Sequence, residues 1–91
     1  MSDDTAAPAL PEVEFSNFVL SLAATAMVQL GMVPDPESGQ NVEPNLPIAQ
    51  HTIDTLVLLQ EKTVGNLDDE EEKLLESMIY ELRMRFVEAG K

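Results

Sequence analysis

Five consecutive acidic residues, Asp68-Asp69-Glu70-Glu71-Glu72, form the densest group of potential ligands in the sequence. A calcium loop of the EF-hand kind needs oxygen ligands at alternating positions, a glycine at its turn and a closing glutamate. This run has no such glycine, and it stands where an amphipathic pattern begins. Carboxylates there are stabilised by the unpaired amides and the positive end of a helix dipole. Asp68 with Glu71 three residues later has the spacing of a capping box. The run therefore reads as a helix start, and no metal site is expected.

The remaining chemistry is sparse. His51 is the only histidine, and Ile48 stands where the Glu-x-x-His pair of a di-iron bundle would need its glutamate. His51 and Asp54 are i, i+3 neighbours with no nucleophile or pocket attached to them. Acyl carrier proteins present a serine in an Asp-Ser-Leu setting, which Ser21, Ser38 and Ser77 lack. There is no glycine-rich phosphate loop. Glu81 and Arg85 form an i, i+4 pair of the better orientation, worth about 0.2–0.5 kcal/mol. Arg83 lies at the edge of an apolar stripe, where it is expected to pair with an acid of a neighbouring helix or protomer. No catalytic residue, cofactor or metal ligand is expected, and the chain does not read as an enzyme.

The elements that carry these residues must fit into 91 residues, which is room for one domain. A domain of that size buries only roughly 60–65% of the surface its unfolded chain exposes, so the core needs a supplement. With no cysteine, neither disulfides nor cysteine-held zinc can supply it. Self-association remains. Seventeen acidic against five basic residues give a formal charge of −12. That field repels phosphate backbones and anionic lipid headgroups, so neither nucleic acid nor membrane is an expected partner. It suits a basic partner, or mimicry of nucleic acid towards a basic protein.

Residues 1–13, with their acids, prolines and lack of apolar period, predict a disordered acidic tail. The absence of any lysine or arginine there argues against a secretory signal. Residues 14–91 are expected to form a single three-helix domain. The first helix should span 16–30, with Ser16 as its N-cap and Gly31 just past its end. Residues 32–46, which include Pro34, Pro36 and Pro44, read as a crossover loop, the alternative being a loop that is functional or packed on itself. The second helix should span 47–64, beginning with Pro47. Gly65-Asn66 breaks it, and the third runs from the Asp68 cap to about Ala89. So short a connection makes the last two helices an antiparallel hairpin.

At 100° per residue, Ala49, Thr52, Ile53, Leu56, Leu59 and Thr63 share one face of the second helix. Leu74, Leu75, Met78, Ile79, Leu82 and Phe86 share one face of the third. Those two stripes are core. The first helix is broader. Phe15, Val19, Leu22, Ala26 and Leu30 make one face, and Leu20, Ala24 and Met27 add a second on its flank. Asn17, Ser21, Thr25 and Gln29, spaced by four, form its only polar stripe. Residues 15–34 contain no charge, but these polar side chains and the lack of a basic flank argue against a membrane span. One hairpin cannot cover so wide an arc, so a second chain is expected on Phe15, Phe18, Val19, Leu20, Leu22, Ala23, Ala24 and Met27. Tyr80, Met84 and Val87 repeat at i, i+4 and i+7 opposite the core stripe of the third helix, as a contact with another protomer or protein would.

Several short stretches carry a family resemblance. They are Phe18-Val19-Leu20-Ser21-Leu22-Ala23, Leu30-Gly31, Asn45-Leu46-Pro47 with Ala49, and Thr52-Ile53-Asp54. Glu61-Lys62-Thr63 with Gly65-Asn66-Leu67, Glu70-Glu71-Glu72, and Tyr80 with Leu82-Arg83 continue it. Over about residues 15–88 the chain resembles an uncharacterised bacterial family, the domain-of-unknown-function family eighteen forty-four. The resemblance implies a short cytoplasmic bacterial protein and brings no activity, cofactor or catalytic residue. The expected protein is thus all-α, an oligomeric helical bundle, most simply a homodimer. Its expected role is that of a protein-interaction module or accessory subunit. The alternative role is an acidic regulator lying in the basic groove of a larger protein.

Overall fold

Three helices make up the described chain, and each packs on the other two. The structure, a computed structural model, describes Leu10 and residues 12–91. Residues 1–9 and 11 of the tail expected to be disordered lie outside the described residues. Helix α1 spans Phe15–Gln29, α2 Leu46–Lys62 and α3 Asp69–Ala89. Among the described residues no helix is long and apolar enough to cross a membrane.

Local chemistry explains most of the helix ends. At the start of α3, the Glu71 backbone N–H donates to the Asp68 carboxylate at 2.8 Å, and the Asp68 N–H donates to the Glu71 side chain at 3.0 Å. This is the reciprocal capping box that the spacing implies. Helix α2 is capped by Asn45, whose side chain accepts from the Ile48 N–H at 3.2 Å, with Pro47 in the first turn. Helix α1 ends in a Schellman turn. The Met32 N–H reaches the Met27 carbonyl and the Gly31 N–H the Val28 carbonyl, both at 2.9 Å, with Gly31 at φ +74°.

The end of α2 falls two residues before the expected Val64, at Lys62, and the start of α1 also differs from expectation. Ser16 is not the N-cap of α1 but a residue of its first turn. Glu14 takes the cap position without a side-chain hydrogen bond. The Glu14 carbonyl accepts from the Phe18 N–H at 3.1 Å, and the Asn17 side-chain amide ties the Glu12 carbonyl at 3.0 Å. Those two bonds stabilise a turn that begins ahead of the serine.

Residues 30–45 are more than a crossover. The Asp35 side chain accepts from the Glu37 N–H at 2.9 Å, and the Asp35 N–H donates to the Gln40 carbonyl at 2.9 Å. The loop then returns to the helix it left. Asn41 donates to the Gly31 carbonyl at 2.8 Å, and the Asn45 N–H donates to the Gln29 carbonyl at 2.8 Å. A Cβ at residue 31 would stand 2.8 Å from the Val42 carbonyl oxygen. Glycine is needed there both for the positive φ and for this close approach.

The core consists of Val19, Ala23, Ala26 and Leu30 from α1 and its end, Ala49, Ile53 and Leu56 from α2, and Leu75, Ile79 and Leu82 from α3. Both hairpin stripes therefore lie where their periodicity puts them. Thr52 is the one buried polar residue recorded there, and its hydroxyl donates to the Gln29 side-chain oxygen at 2.7 Å. That bond brings the end of α1 to the start of α2. Gly90 lies beside Leu46, and residues 13–16 face Asp68, Glu70 and Glu71. Helices α1 and α3 thus run parallel, with α2 antiparallel to both.

Leu82 is among the largest fully buried side chains. Leu82→Ala should cost about 2–5 kcal/mol in a urea or thermal melt, enough to unfold much of so small a domain. A loss below about 1 kcal/mol would mean that α3 is not seated on the core.

Candidate functional site

The acidic run is engaged in helix punctuation. Asp68 and Glu71 cap each other, and Asp69, Glu70 and Glu72 are exposed in the same turn. Among the described residues no three His, Cys, Asp or Glu side chains converge as a metal ion would require. His51 is exposed, and Asp54 accepts from the Gln50 side chain at 2.8 Å. Glu81 and Arg85 form the expected pair at 2.8 Å, joined by Glu88 at 3.3 Å. The hydrogen bond and charge of Glu81, with help from Glu88, hold the Arg85 guanidinium above its ordinary pKa. Arg83 makes no ion pair among the described residues.

Exposed apolar side chains gather on two helix faces, apart from scattered ones such as Val42, Ile48, Leu58 and Val64. On α3, Tyr80, Met84 and Val87 are exposed by 65%, 53% and 61%, on the side turned from Leu75, Ile79 and Leu82. With Arg83, Glu88 and Lys91 they line a shallow groove. Residues at i, i+4 and i+7 drift little around a helix, so their side chains form one continuous strip. The strip is apolar along its floor and carries two cations and one acid along its edges.

The second place is α1. Its outer face exposes Phe18, Leu20, Ser21, Ala24 and Thr25, with Phe18 on one flank and Leu20 on the other. No charged residue occurs anywhere in α1. The side chains of Asn17, Ser21, Thr25 and Gln29 are already bonded within the chain. The Ser21 hydroxyl donates to the Asn17 carbonyl and the Thr25 hydroxyl to the Ser21 carbonyl, both at 3.0 Å. Gln29 is held by Thr52. Hydroxyls that donate back to their own helix can be covered without leaving a donor unmet.

The residues expected to meet a second chain separate into three groups. Val19 and Ala23 are buried in the chain's own core, 0% and 6% exposed, and cannot touch another protomer. The α2–α3 hairpin takes them because small Ala23 and Ala26 let α1 settle deeply between both helices. Phe15, Leu22 and Met27 are half-buried against that core. Phe18, Leu20 and Ala24 remain open. Part of the arc is faced by the chain's own loop, since Asp35, Pro36 and Glu37 lie across a cleft from Ala24, Thr25 and Val28. That return was hidden in the sequence, where only Gly31 and the Asx turn at Asp35 hint at it. A further feature was missed altogether. Leu10 and Val13, beside Glu12 and Glu14, are exposed by 85% and 105%.

These features define a small up-down-up three-helix domain. The chain belongs to the DUF1844 family, a domain of unknown function, which matches residues 12–88. Comparison with curated proteins and with solved structures gave no significant match.

Because the α3 strip faces away from the core, a charge placed in it should spare the fold. Met84→Glu is expected to shift the unfolding free energy by no more than about 0.5 kcal/mol, read by denaturant titration at low protein concentration. A loss of several kcal/mol would place Met84 in the core.

Proposed function

We propose that this chain is a cytoplasmic, non-enzymatic protein-interaction module that works as a homo-oligomer, with a dimer as its simplest form. The observation that carries this reading is the neutrality of α1's outer face. Two copies each bearing −12 repel wherever their acids meet. They can approach closely only where charge is sparse; residues 15–34 hold none, and Asp35 and Glu37 of the loop border that face at Ala24 and Thr25. Phe18 and Leu20 supply apolar area on that face. Ser21, Ala24 and Thr25 between them are small, so two helices can come together there with their hydroxyls already satisfied. The same contact supplies the burial that a domain of this size lacks alone.

The second reading, an acidic regulator in the basic groove of a larger protein, is favoured by the net charge and by the exposed Asp69, Glu70 and Glu72. The two respond oppositely to salt. Screening weakens attraction between an acidic surface and a basic groove, and it relieves repulsion between two acidic copies. Light scattering on the purified chain at micromolar concentration should give at least twice the chain mass, and added salt should tighten the assembly. Ala24→Glu should return it to a monomer that keeps its helical circular dichroism. A wild-type mass that stays monomeric at every concentration would overturn the reading.

A further inference from the structure

Like charge keeps two copies of this chain apart, and α3 is the element on which unlike charges face outward together. Its outer side is exposed from end to end, through Asp69, Lys73, Ser77, Tyr80, Met84 and Val87. The charges along it are sorted. From Asp68 to Glu76 there are six acids and one base, whereas Glu81 to Lys91 carry three bases and two acids. Those two acids, Glu81 and Glu88, are held by Arg85 at 2.8 and 3.3 Å. Arg83 and Lys91 make no ion pair among the described residues, so the last turns of α3 present two uncommitted cations.

Tyr80 stands near the middle of this 21-residue helix and is 65% exposed. An antiparallel helix centred on it overlaps the acidic half of one copy with the basic half of the other. We propose that α3 pairs in this way with α3 of a second copy, about a two-fold axis at Tyr80. Such an axis brings the same edge of each helix together. Glu76 and Arg83 are seven residues apart and so share an edge. Arg83 of one copy then meets Glu76 of the other, within one residue's rise of level, and the pair forms twice. Lys91 comes level with Asp69. Lys73 comes level with Val87, where its aliphatic stem covers the valine and its ammonium lies beside Glu88. The two tyrosines face each other at the axis, and each Met84 lies beside Ser77 of the other copy.

Charge decides both direction and register. Parallel pairing would lay the acidic start of α3 on itself. Sliding the antiparallel pair until Tyr80 is level with Met84 sets Arg83 opposite Glu81, but Arg85 already holds that glutamate. The same register sets Lys73 opposite Lys91. Both lie on the midline of the strip, five full turns apart, so two cations would face each other at either end. The tyrosine-centred register instead gives each of Lys73, Arg83 and Lys91 an acid of the other copy, and it sets the two helix dipoles antiparallel.

This inference rests on the homo-oligomer reading: α1 brings copies together, and α3 adds a second, weaker contact between them. Its test is positional and does not use the mass. The sequence has no cysteine, so single cysteines can be placed on the exposed strip of the full chain and oxidised. A disulfide needs Cα atoms within about 7 Å of each other. Tyr80→Cys, at the axis, should cross-link at least about tenfold faster than Val87→Cys, whose two copies stand roughly 21 Å apart along the pair. Mixing Val87→Cys with Lys73→Cys should restore fast cross-linking, between unlike chains. In the Tyr80→Cys chain, Arg83→Glu and Glu76→Lys should each slow the reaction, and both together should return it towards the original rate. Equal rates for Tyr80→Cys and Val87→Cys, no gain on mixing, or a double charge reversal no faster than the single ones would each overturn the α3 pairing. None of these results bears on the α1 contact, which is judged by the masses of the wild-type and Ala24→Glu chains.

Discussion

The structure depends on how deeply α1 sits in the groove between α2 and α3. Four side chains settle it. Val19, Ala23, Ala26 and Leu30 are all buried, and two of them are alanines. Bulkier residues there would hold α1 away from the hairpin and leave Ile53, Leu56 and Leu82 under-packed. Because the fit is close, Gln29 comes within reach of Thr52, and the loop after Gly31 can be drawn back to the end of α1. The same fit consumes one side of a helix that is apolar on nearly every side. What remains outward on α1 is uncharged: Phe18 and Leu20, with small Ser21, Ala24 and Thr25 between them, the two hydroxyls already hydrogen-bonded.

Features written locally were legible from the sequence. The capping box at Asp68 and Glu71 needs only its own four residues, and the apolar stripes of α2 and α3 follow from a single period. The hairpin follows from the length of its turn. The coverage of α1 was less legible, because it is set by the depth of a tertiary contact. Periodicity marks Val19 and Ala23 as apolar without saying which neighbour buries them, and the core took both. The start of α1 shows a similar limit. Ser16 is a good capping residue by type, yet the Asn17–Glu12 bond favours an earlier turn.

Charge distribution links fold to function. The acids are not spread evenly. A dense group marks the start of α3, α1 has none, and four of the five basic residues lie between Lys73 and Lys91. Within a Debye length of ~8–10 Å at physiological salt, such local imbalances matter more than the total. A strongly acidic chain can therefore still present one uncharged helix face and one groove edged by two cations.

The claim that α1 works with one face in the core and the other against a second copy can be read directly from side-chain signals. A soluble paramagnetic agent broadens the resonances of groups that water reaches. In the intact chain, the Ala23 methyl should be protected at every concentration. The Ala24 methyl and the Phe18 and Leu20 side chains should be broadened in dilute solution and protected in concentrated solution. Equal broadening of Ala24, Phe18 and Leu20 at both concentrations would contradict the account.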